Sequence, residues 1–530
     1  MLYKSYYLTL SFLSLVIIIP IIGIFSKVNF ETSYFLSFFE SKYNIRLVYI
    51  TFFQAFLSSF LSCVIAIPFA LSLARHKNLK IVKLIISLCG YAFVLPSILI
   101  VYGVIGIFGS NGFLNNLINF YDIFEIKTLF GLKTIILAHI LLNAPFATRL
   151  FFQNLNTIPS DYIEISESLS IGFWGHTIKI EWPILKQNIF SIFSIIFVLC
   201  FLSFPIVMAL GGGPSTSTLE VAIYQSALFE LNFNKAIYLS IIQIIICIIF
   251  LLIGYGKLKG SNYFIIKMNN LDHPYKKNYL ILIFDCCILT TFSFILFSPI
   301  IYILVNFIYK FYLYNIFFNN YFLNAFMNSV ILSFSTSIIV TSLGVIISLL
   351  LINLRKKILL QQLLFLTSSL ILLISPIILS LGYFIFLGEL RYIKLIMYVI
   401  VIIINCIFLI PFSILILFTR LKNIFLNFED LKKSFQISEV SFMRIIFPLI
   451  KKNILYVFAF TSAISIGDFT VISFFKSESF QTLPTLLYKL IASYRFEEAS
   501  FVAGFLLILS LFIYAMFDNL FYKDIPDKSI

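Results

Sequence analysis

The sequence EISESLSIGFWGHTIKIEWP at residues 164–183 has a counterpart, EDLKKSFQISEVSFMRIIFP, at residues 429–448. Both are polar stretches in an apolar chain, and each begins with a glutamate and ends with a proline 19 residues later. The two prolines are 265 residues apart, half the length of the 530-residue chain. This spacing predicts an internal duplication in which each half carries one polar loop.

The composition predicts that lipid is the solvent of this chain. Apolar residues make up 61% of the sequence and charged residues only 11%, and the mean hydropathy is +1.04. Soluble domains keep about a quarter of their residues charged. Apolar runs of about 20 residues, the length of a helix that crosses a bilayer, recur along the chain. We predict an all-α polytopic membrane protein with about twelve transmembrane helices in two homologous six-helix halves. The predicted spans lie near 6–26, 48–73, 84–108, 132–152, 188–210, 236–255, 279–308, 329–353, 359–387, 395–419, 453–475 and 500–521.

The duplication sets the predicted domain boundaries. The two halves cover 1–256 and 279–530, joined by a polar linker at 257–278. The polar loops follow the fourth span of each half, at about 153–187 and 422–452. Six spans per half make the repeat parallel rather than inverted. Further matching landmarks are Asn143 with Pro145 and Asn405 with Pro411, Ser203-Phe204 and Asp468-Phe469, Thr218-Leu219 and Thr482-Leu483, and Tyr224 and Tyr488.

The basic residues predict the orientation. If both termini are cytoplasmic, the inside loops and ends carry 25 of the 37 lysines and arginines, as the positive-inside rule requires. We therefore predict a multi-pass protein of the bacterial inner membrane with both termini in the cytoplasm. The same distribution explains the net charge of +14 without a nucleic-acid partner.

The polar loops are suited to docking a soluble protein. In the first loop, Glu164, Glu167 and Leu169 predict a short amphipathic helix, and Pro183 predicts a helix end before the next span. The alternative is an ordinary cytoplasmic loop. The chain has no G-x-x-x-x-G-K-[ST] motif, so it cannot cradle a nucleotide phosphate in the P-loop manner.

The loops resemble the signature loop of ABC importer permeases, E-A-A-x-x-x-G followed about nine residues later by I-x-L-P. The first loop departs from the pattern in having Ser170 at the usual glycine and Trp182 at the usual leucine. The second also lacks the glycine and has Phe435 or Gln436 there, so both tight turns must be made in another way. The resemblance implies that the loops dock a cytoplasmic ABC ATPase subunit, itself a dimer, and that a periplasmic or lipid-anchored binding protein delivers the substrate. The implied docking residues are Glu164, Glu167, Leu169, Ser170, Ile180, Pro183, Glu429, Asp430, Ser434 and Pro448.

A more specific resemblance is carried by five stretches: TFFQAFLSSFLSCVIAIPFALSLAR (51–75), LAHILLNAPFATRL (137–150), LGGGPSTSTLEVAIYQSALFELNFNKA (210–236), SIGDFTVISFF (465–475) and QTLPTLLYKLIASYR (481–495). With them, and over nearly its whole length, the chain resembles the thiamine and thiamine-pyrophosphate importer permeases. The resemblance implies ATP-driven import of thiamine or its pyrophosphate by alternating access. Iron(III) importer permeases, which share the fused two-half architecture, are the alternative.

Polar residues inside the predicted spans point to a transport pathway, because a lipid-facing polar group is costly. Asp468, predicted in the middle of the eleventh span, either faces a cationic cargo or makes a helix-packing hydrogen bond. Its counterpart is Ser203. His139 and Asn143 share one face of the fourth span and either satisfy a kinked backbone or contact substrate; Asn405 is the counterpart of Asn143. These five residues are the candidate pathway.

Other carboxylates and the histidines predict no catalytic site. Asp285, near the start of the seventh span, is interpreted as reaching the interface or pairing with a nearby lysine. His76, His139, His176 and His273 are scattered along the sequence, and we predict no metal, cofactor or catalytic residue. An ion-driven secondary transporter is the less favoured alternative, since it would carry more membrane carboxylates and no paired loops.

Overall fold

The computed structural model describes residues 2–26, 40–110, 112–120, 130–255, 273, 275, 278–369, 374–436, 438–477 and 480–522. Across these ranges the chain is helical and forms no sheet; one isolated bridge joins Ser477 and Phe480. The helices of the first half are α1 (Leu2–Phe25), α2 (Lys42–Arg75), α3 (Lys80–Tyr91), α4 (Ser97–Phe108), α5 (Phe113–Phe120), α6 (Leu132–Leu155), α7 (Ser160–Ser168), α8 (Phe173–His176), α9 (Trp182–Phe201), α10 (Pro205–Leu210), α11 (Leu219–Leu228) and α12 (Phe233–Tyr255).

The second half repeats this order. Its helices are α13 (Tyr279–Tyr309), α14 (Asn320–Asn353), α15 (Ile358–Ser369), α16 (Pro376–Leu387), α17 (Lys394–Ser434), α18 (Glu439–Ile466), α19 (Thr470–Phe475), α20 (Leu483–Ala492) and α21 (Phe496–Tyr522).

The membrane-spanning prediction is confirmed in its essentials. Within the described residues, 10 helices are long and apolar enough to cross a bilayer. The sixth predicted span lies in α12, and the ninth is divided between α15 and α16. The third is also divided, between α3 and α4. Pro96 immediately precedes α4 and Pro376 begins α16, because a proline can neither donate to the preceding turn nor follow a helical residue without a clash.

The fifth and eleventh predicted spans are broken at equivalent points. Helix α9 gives way to α10 at residues 202–204, and α18 gives way to α19 at residues 467–469. The prediction that Asp468 lies in the middle of a continuous helix is therefore wrong, since it lies in the second break. A β-carbon at Gly467 would meet the ring of Pro96, so this break also brings the second half close to α4.

Two short buried helices follow these breaks and were absent from the sequence prediction. Helices α11 and α20 have 10 residues each, too few to span a bilayer. Their first residues are held in the same way. The Leu219 amide donates to Thr51 Oγ1 at 2.9 Å, and the Leu483 amide donates to Ser329 Oγ at 2.9 Å. The two halves therefore repeat in their hydrogen bonds as well as in their sequence.

The first helix of each half packs on the other half. Helix α1 lies against α16, and α13 lies against α4. Glycines permit both approaches, because a β-carbon at Gly382 would collide with Pro20 and one at Gly103 would collide with Pro299. Such small residues let membrane helices pack closely where lipid offers little hydrophobic driving force. Because the first helix of each half packs on the opposite half, neither half is complete without the other.

Replacing Gly382 with alanine is expected to weaken the packing of α1 on α16. The added methyl group would overlap the backbone of α1, so we expect a loss of about 1–3 kcal/mol, measured as a lower midpoint of thermal unfolding in detergent. Gly172→Ala is the control, because a β-carbon there meets no atom within 4 Å and should leave the midpoint nearly unchanged. An unchanged midpoint for Gly382→Ala would contradict the close approach.

Candidate functional site

The first polar loop exposes an apolar helix face outside the membrane-spanning helices. Tyr162 and Ile165 on α7 and Leu169 directly after its last residue follow one another at intervals of three and four residues, and all are exposed, Leu169 by 67%. Glu164 and Glu167 are also exposed. Exposed apolar residues in this pattern are typical of a surface that another protein covers. The predicted amphipathic helix is present in the structure.

Both polar loops turn through a left-handed residue that is not glycine. Ser170 has φ 47° and Gln436 has φ 50°, at the positions where the sequence lacks the expected glycine. Around Ser170, the Ile171 amide donates to Ser166 O at 3.1 Å, which closes the end of α7 as glycine caps usually do. The tight turn is thus retained without its usual residue, at a conformational cost of about 1–2 kcal/mol.

Ser170→Gly is therefore expected to stabilise the protein. Glycine adopts this conformation without strain but loses more chain entropy on folding, so we expect a net gain of at most about 1 kcal/mol in the free energy of unfolding. Ser168→Gly, at the last residue of α7, is the matched control and should reduce stability instead. Thermal unfolding of the two variants in detergent checks this, and equal effects would contradict the strain at Ser170.

The prolines of the two loops both lie within helices. The helical run is unbroken from Phe173 to Phe201, with a π-helical turn at Thr177–Glu181 directly before Pro183, so the prediction that Pro183 ends a helix before the next span is wrong. The π-helical turn accommodates the residue that lacks an amide hydrogen. Pro448 lies inside α18 and does not separate two helices either. Ile180 is half-buried and both prolines are exposed.

The second loop is described mainly by its backbone. Glu429 and Asp430 lie near the end of α17, and their side chains fall outside the part of the chain that the structure describes. Ser434 ends α17 and is exposed. The left-handed Gln436 then joins α17 to α18.

A buried ion pair beside the first loop connects the halves. Asp285 on α13 is fully buried and accepts from Arg75 Nε at 2.8 Å and Nη2 at 2.6 Å. Ser72 Oγ donates to the same carboxylate at 3.0 Å, and His76 Nε2 lies 3.0 Å from it. The interpretation of Asp285 as an interfacial residue or a lysine partner is therefore wrong. The Arg75 guanidinium also lies 5.3 Å from the ring centre of Phe173 in the first loop.

The two broken spans meet in an aromatic junction between the two halves. Phe204 and Phe469 stack with their ring centres 5.9 Å apart and their planes 22° apart. Each is joined by the tyrosine of its own half, Tyr224 on Phe204 and Tyr488 on Phe469, both at 5.0 Å. These are the landmark pairs of the sequence repeat, and the structure brings all four together.

Among the candidate pathway residues, Asp468 and Ser203 lie beside this junction and are half-buried. Asp468 Oδ1 accepts from the Val471 amide at 3.2 Å, while Oδ2 is buried and has no hydrogen-bond partner among the described residues. Asn405 is buried nearby and donates to Ser465 Oγ at 3.5 Å. A membrane carboxylate with an unused oxygen is the usual mark of a functional position.

His139 and Asn143 lie in the core of the first half instead. His139 Nδ1 is 3.5 Å from Ser58 Oγ, and Asn143 donates to Cys200 Sγ at 3.3 Å. Both are buried between α6 and its neighbours α2 and α9. The Asn143 and Asn405 bonds are equivalent, since each joins the fourth predicted span of its half to the fifth: α6 to α9 in the first half and α17 to α18 in the second.

One group in the described residues could hold a metal ion, and sequence reasoning missed it. His176, Glu181 and His273 each place one donor atom within 4.8 Å of the others. His273 is 92 positions from Glu181, so no local spacing could have indicated the cluster.

Two repeated halves with paired polar loops, which together hold 10 candidate membrane-spanning helices within the described residues, define a polytopic permease of the ABC transporter class. No family model matches the chain, but it is similar along nearly its full length to thiamine transport system permease proteins named ThiP. The protein of Haemophilus influenzae is 32% identical over 503 residues, 93% of this chain and 91% of the relative. Those of Escherichia coli and Brucella suis are 27% and 29% identical and cover 91% and 89% of this chain and 90% and 86% of their own length. The chain belongs to the family of thiamine transport system permeases.

Proposed function

We propose that this chain is the transmembrane subunit of an ATP-driven importer that carries thiamine or thiamine pyrophosphate across the bacterial inner membrane. The names of the relatives support thiamine as the substrate, since these proteins align with about 90% of this chain. The relatives therefore favour thiamine over iron(III). The chain itself performs no chemistry and leaves ATP hydrolysis to a separate cytoplasmic subunit.

The observation that carries the coupling role is the exposed apolar face of α7. Tyr162, Ile165 and Leu169 are exposed and belong to none of the ten candidate spans found among the described residues. An ATPase subunit docked on this face would bury it, and a second copy would dock on the loop around Gln436. Both loops and both termini then lie in the cytoplasm, as the lysine and arginine distribution predicts.

Closure of an ATPase dimer would move the two loops together. The first loop contacts Arg75 through Phe173, and Arg75 is bonded to Asp285 of the second half. A displacement of the loop is thereby passed to α2 and α13, which belong to different halves. The aromatic junction of Phe204 and Phe469 lies between the halves, where it can separate as they rock. Alternating access is proposed to use this separation.

Uptake into proteoliposomes tests the function. The chain is reconstituted with its candidate ATPase and a periplasmic or lipid-anchored binding protein, and ATP-dependent uptake of radiolabelled thiamine, thiamine pyrophosphate and ferric iron is followed. We expect thiamine uptake, and we expect the Glu164→Ala, Glu429→Ala double variant to reduce it to background. Glu389→Ala is the control, because Glu389 is exposed in the 3₁₀ turn Gly388–Tyr392, far along the chain from both loops.

The outcomes separate the hypotheses. Uptake of iron alone would keep the architecture and overturn the substrate. ATP-independent uptake that survives the double variant would overturn the ABC assignment. An Ile165→Asp, Leu169→Asp variant that still couples ATP hydrolysis to uptake would contradict docking on α7.

A further inference from the structure

A small cavity lies where the first polar loop meets the connection between the halves. Its volume is about 30 Å³, and its lining includes Lys77 at the end of α2, His176, Glu181 and His273. This is room for about one water-sized group. His176 and Glu181 belong to the loop, while His273 belongs to the predicted linker, so the cavity walls come from distant parts of the sequence.

The three side chains converge on this cavity. His273 Nε2 is 3.1 Å from Glu181 Oε1, and the ring centres of His176 and His273 are 4.8 Å apart at 79°. One donor atom from each residue lies within 4.8 Å of the others. Two imidazoles and one carboxylate are a donor set that zinc and similar ions favour, with one position left for water.

The hydrogen bonds of His176 leave one nitrogen ready for a ligand. Ser166 Oγ donates to Ile163 O at 2.8 Å, so its own proton is already used. His176 Nδ1, 3.0 Å from Ser166 Oγ, must therefore donate its proton there, and the lone pair of the ring is on Nε2. Metal-binding histidines are commonly oriented in this manner by an oxygen acceptor behind the ring.

Glu181 supplies the negative charge and an unused oxygen. The residue is 1% exposed, and its Oε2 makes no hydrogen bond of normal geometry within the described part of the chain, although the Thr177 hydroxyl lies near the carboxylate. A buried oxygen that is at most weakly satisfied calls for an explanation in a native fold. A cation bound beside it would supply the missing partner.

His273 must change tautomer to bind. Its Nδ1 accepts from the Tyr275 amide at 3.3 Å, which places the ring proton on Nε2, toward Glu181. A metal ion on Nε2 would shift this proton to Nδ1 and break the long bond to Tyr275, without net release of a proton. The site thus exchanges the Tyr275 bond and the bond from Nε2 to Glu181 Oε1 for metal ligation by both residues.

The surrounding positive charges oppose a cation, so only an ion that its ligands bind strongly could be held. Arg75 is paired with Asp285 at 2.6 Å, which offsets its repulsion, and Lys77 lines the same cavity. A hard cation such as Ca²⁺ or Mg²⁺ prefers oxygen ligands and would be held too weakly here. An ion of the zinc type gains from the two imidazoles.

We propose that His176, Glu181 and His273 form a binding site for a divalent transition-metal ion such as Zn²⁺, with water as the fourth ligand. The ion joins the first polar loop to the connection between the halves. Binding itself does not depend on the proposed transport function; only an effect on coupling would rest on it.

Cobalt is the probe, because Co²⁺ in a zinc-type site absorbs visible light. The full chain is purified in detergent with a tag that contains no histidine, since polyhistidine binds Co²⁺. Cys286 and Cys287 are exposed neighbours, so both are replaced with serine to remove a competing thiolate site. We expect saturation at one Co²⁺ per chain, and we expect equimolar Zn²⁺ to displace it.

Substitutions of the three side chains test whether they are the ligands of the bound Co²⁺. His176→Ala, Glu181→Gln and His273→Gln should each weaken Co²⁺ binding at least about 10-fold, the lower end of what even outer-shell changes cause. His139→Gln is the matched control, because His139 is buried in another part of the first half. His273→Gln removes only the linker ligand and so keeps the test valid if the loop variants fail to fold. No Co²⁺ absorption in the parent, or binding unaffected by His273→Gln, would show that the cluster is only a set of hydrogen-bonded side chains.

Discussion

Asp285→Ala is expected to destabilise the protein by about 3–5 kcal/mol, the cost of removing one partner from a buried ion pair. The Arg75 guanidinium is 3% exposed and would lose both of its charge-assisted bonds. Ser72 and His76 would lose the same acceptor. Because α2 and α13 belong to different halves, the variant should also weaken their association. The midpoint of thermal unfolding in detergent measures the combined loss.

A double variant tests whether the loss of stability comes from leaving a buried charge unpaired or from substituting these positions. Arg75→Met with Asp285→Leu removes both charges and fills the space, so it should be more stable than either single change. Glu497→Ala is the control for an exposed pair, because Glu497 is 64% exposed and bonded to Lys310 at 3.1 Å. Exposed pairs contribute at most about 1 kcal/mol. A loss for Asp285→Ala no larger than this control would contradict the role of the buried pair.

The parts of the fold that could be predicted depend on local patterns. Apolar runs of membrane-crossing length predict helices, and a 265-residue repeat predicts two equivalent halves. The matched landmarks then fall in equivalent places, as Asn143 and Asn405 do in their bonds to Cys200 and Ser465. The helices α11 and α20 could not be found in this way, because a helix of ten residues next to apolar spans is too short to be recognised from the length of an apolar run.

The remaining features depend on contacts between distant residues. Sequence alone suggested a nearby lysine for Asp285, whereas its partner Arg75 is 210 positions away. The missing glycine at Ser170 predicted a different turn, but tertiary packing kept the same turn and imposed a positive φ on serine. Only the folded chain brings His273 to Glu181.

Asp468→Asn is expected to raise the KM for thiamine uptake at least about tenfold, equivalent to about 1.4 kcal/mol. The side chain keeps its size and can still accept from the Val471 amide, but it loses the charge that would attract the thiazolium cation. Asp468 Oδ2 makes no hydrogen bond of normal geometry among the described residues, although the Asn405 side chain lies near the carboxylate, so this oxygen can still accept from or pair with a substrate. Uptake measured against thiamine concentration gives KM and the maximal rate separately.

The repeat supplies the control for this experiment. Ser203 occupies the equivalent break in the first half and carries no charge, so Ser203→Ala should leave KM within about twofold. If Asp468 only packs helices, Asp468→Asn should lower the unfolding midpoint and the maximal rate while KM is unchanged. A raised KM with an unchanged midpoint would instead assign Asp468 to the pathway, because loss of a packing contact cannot change affinity alone. The two halves would then differ in function at equivalent positions, with the cation bound on the side of the second half.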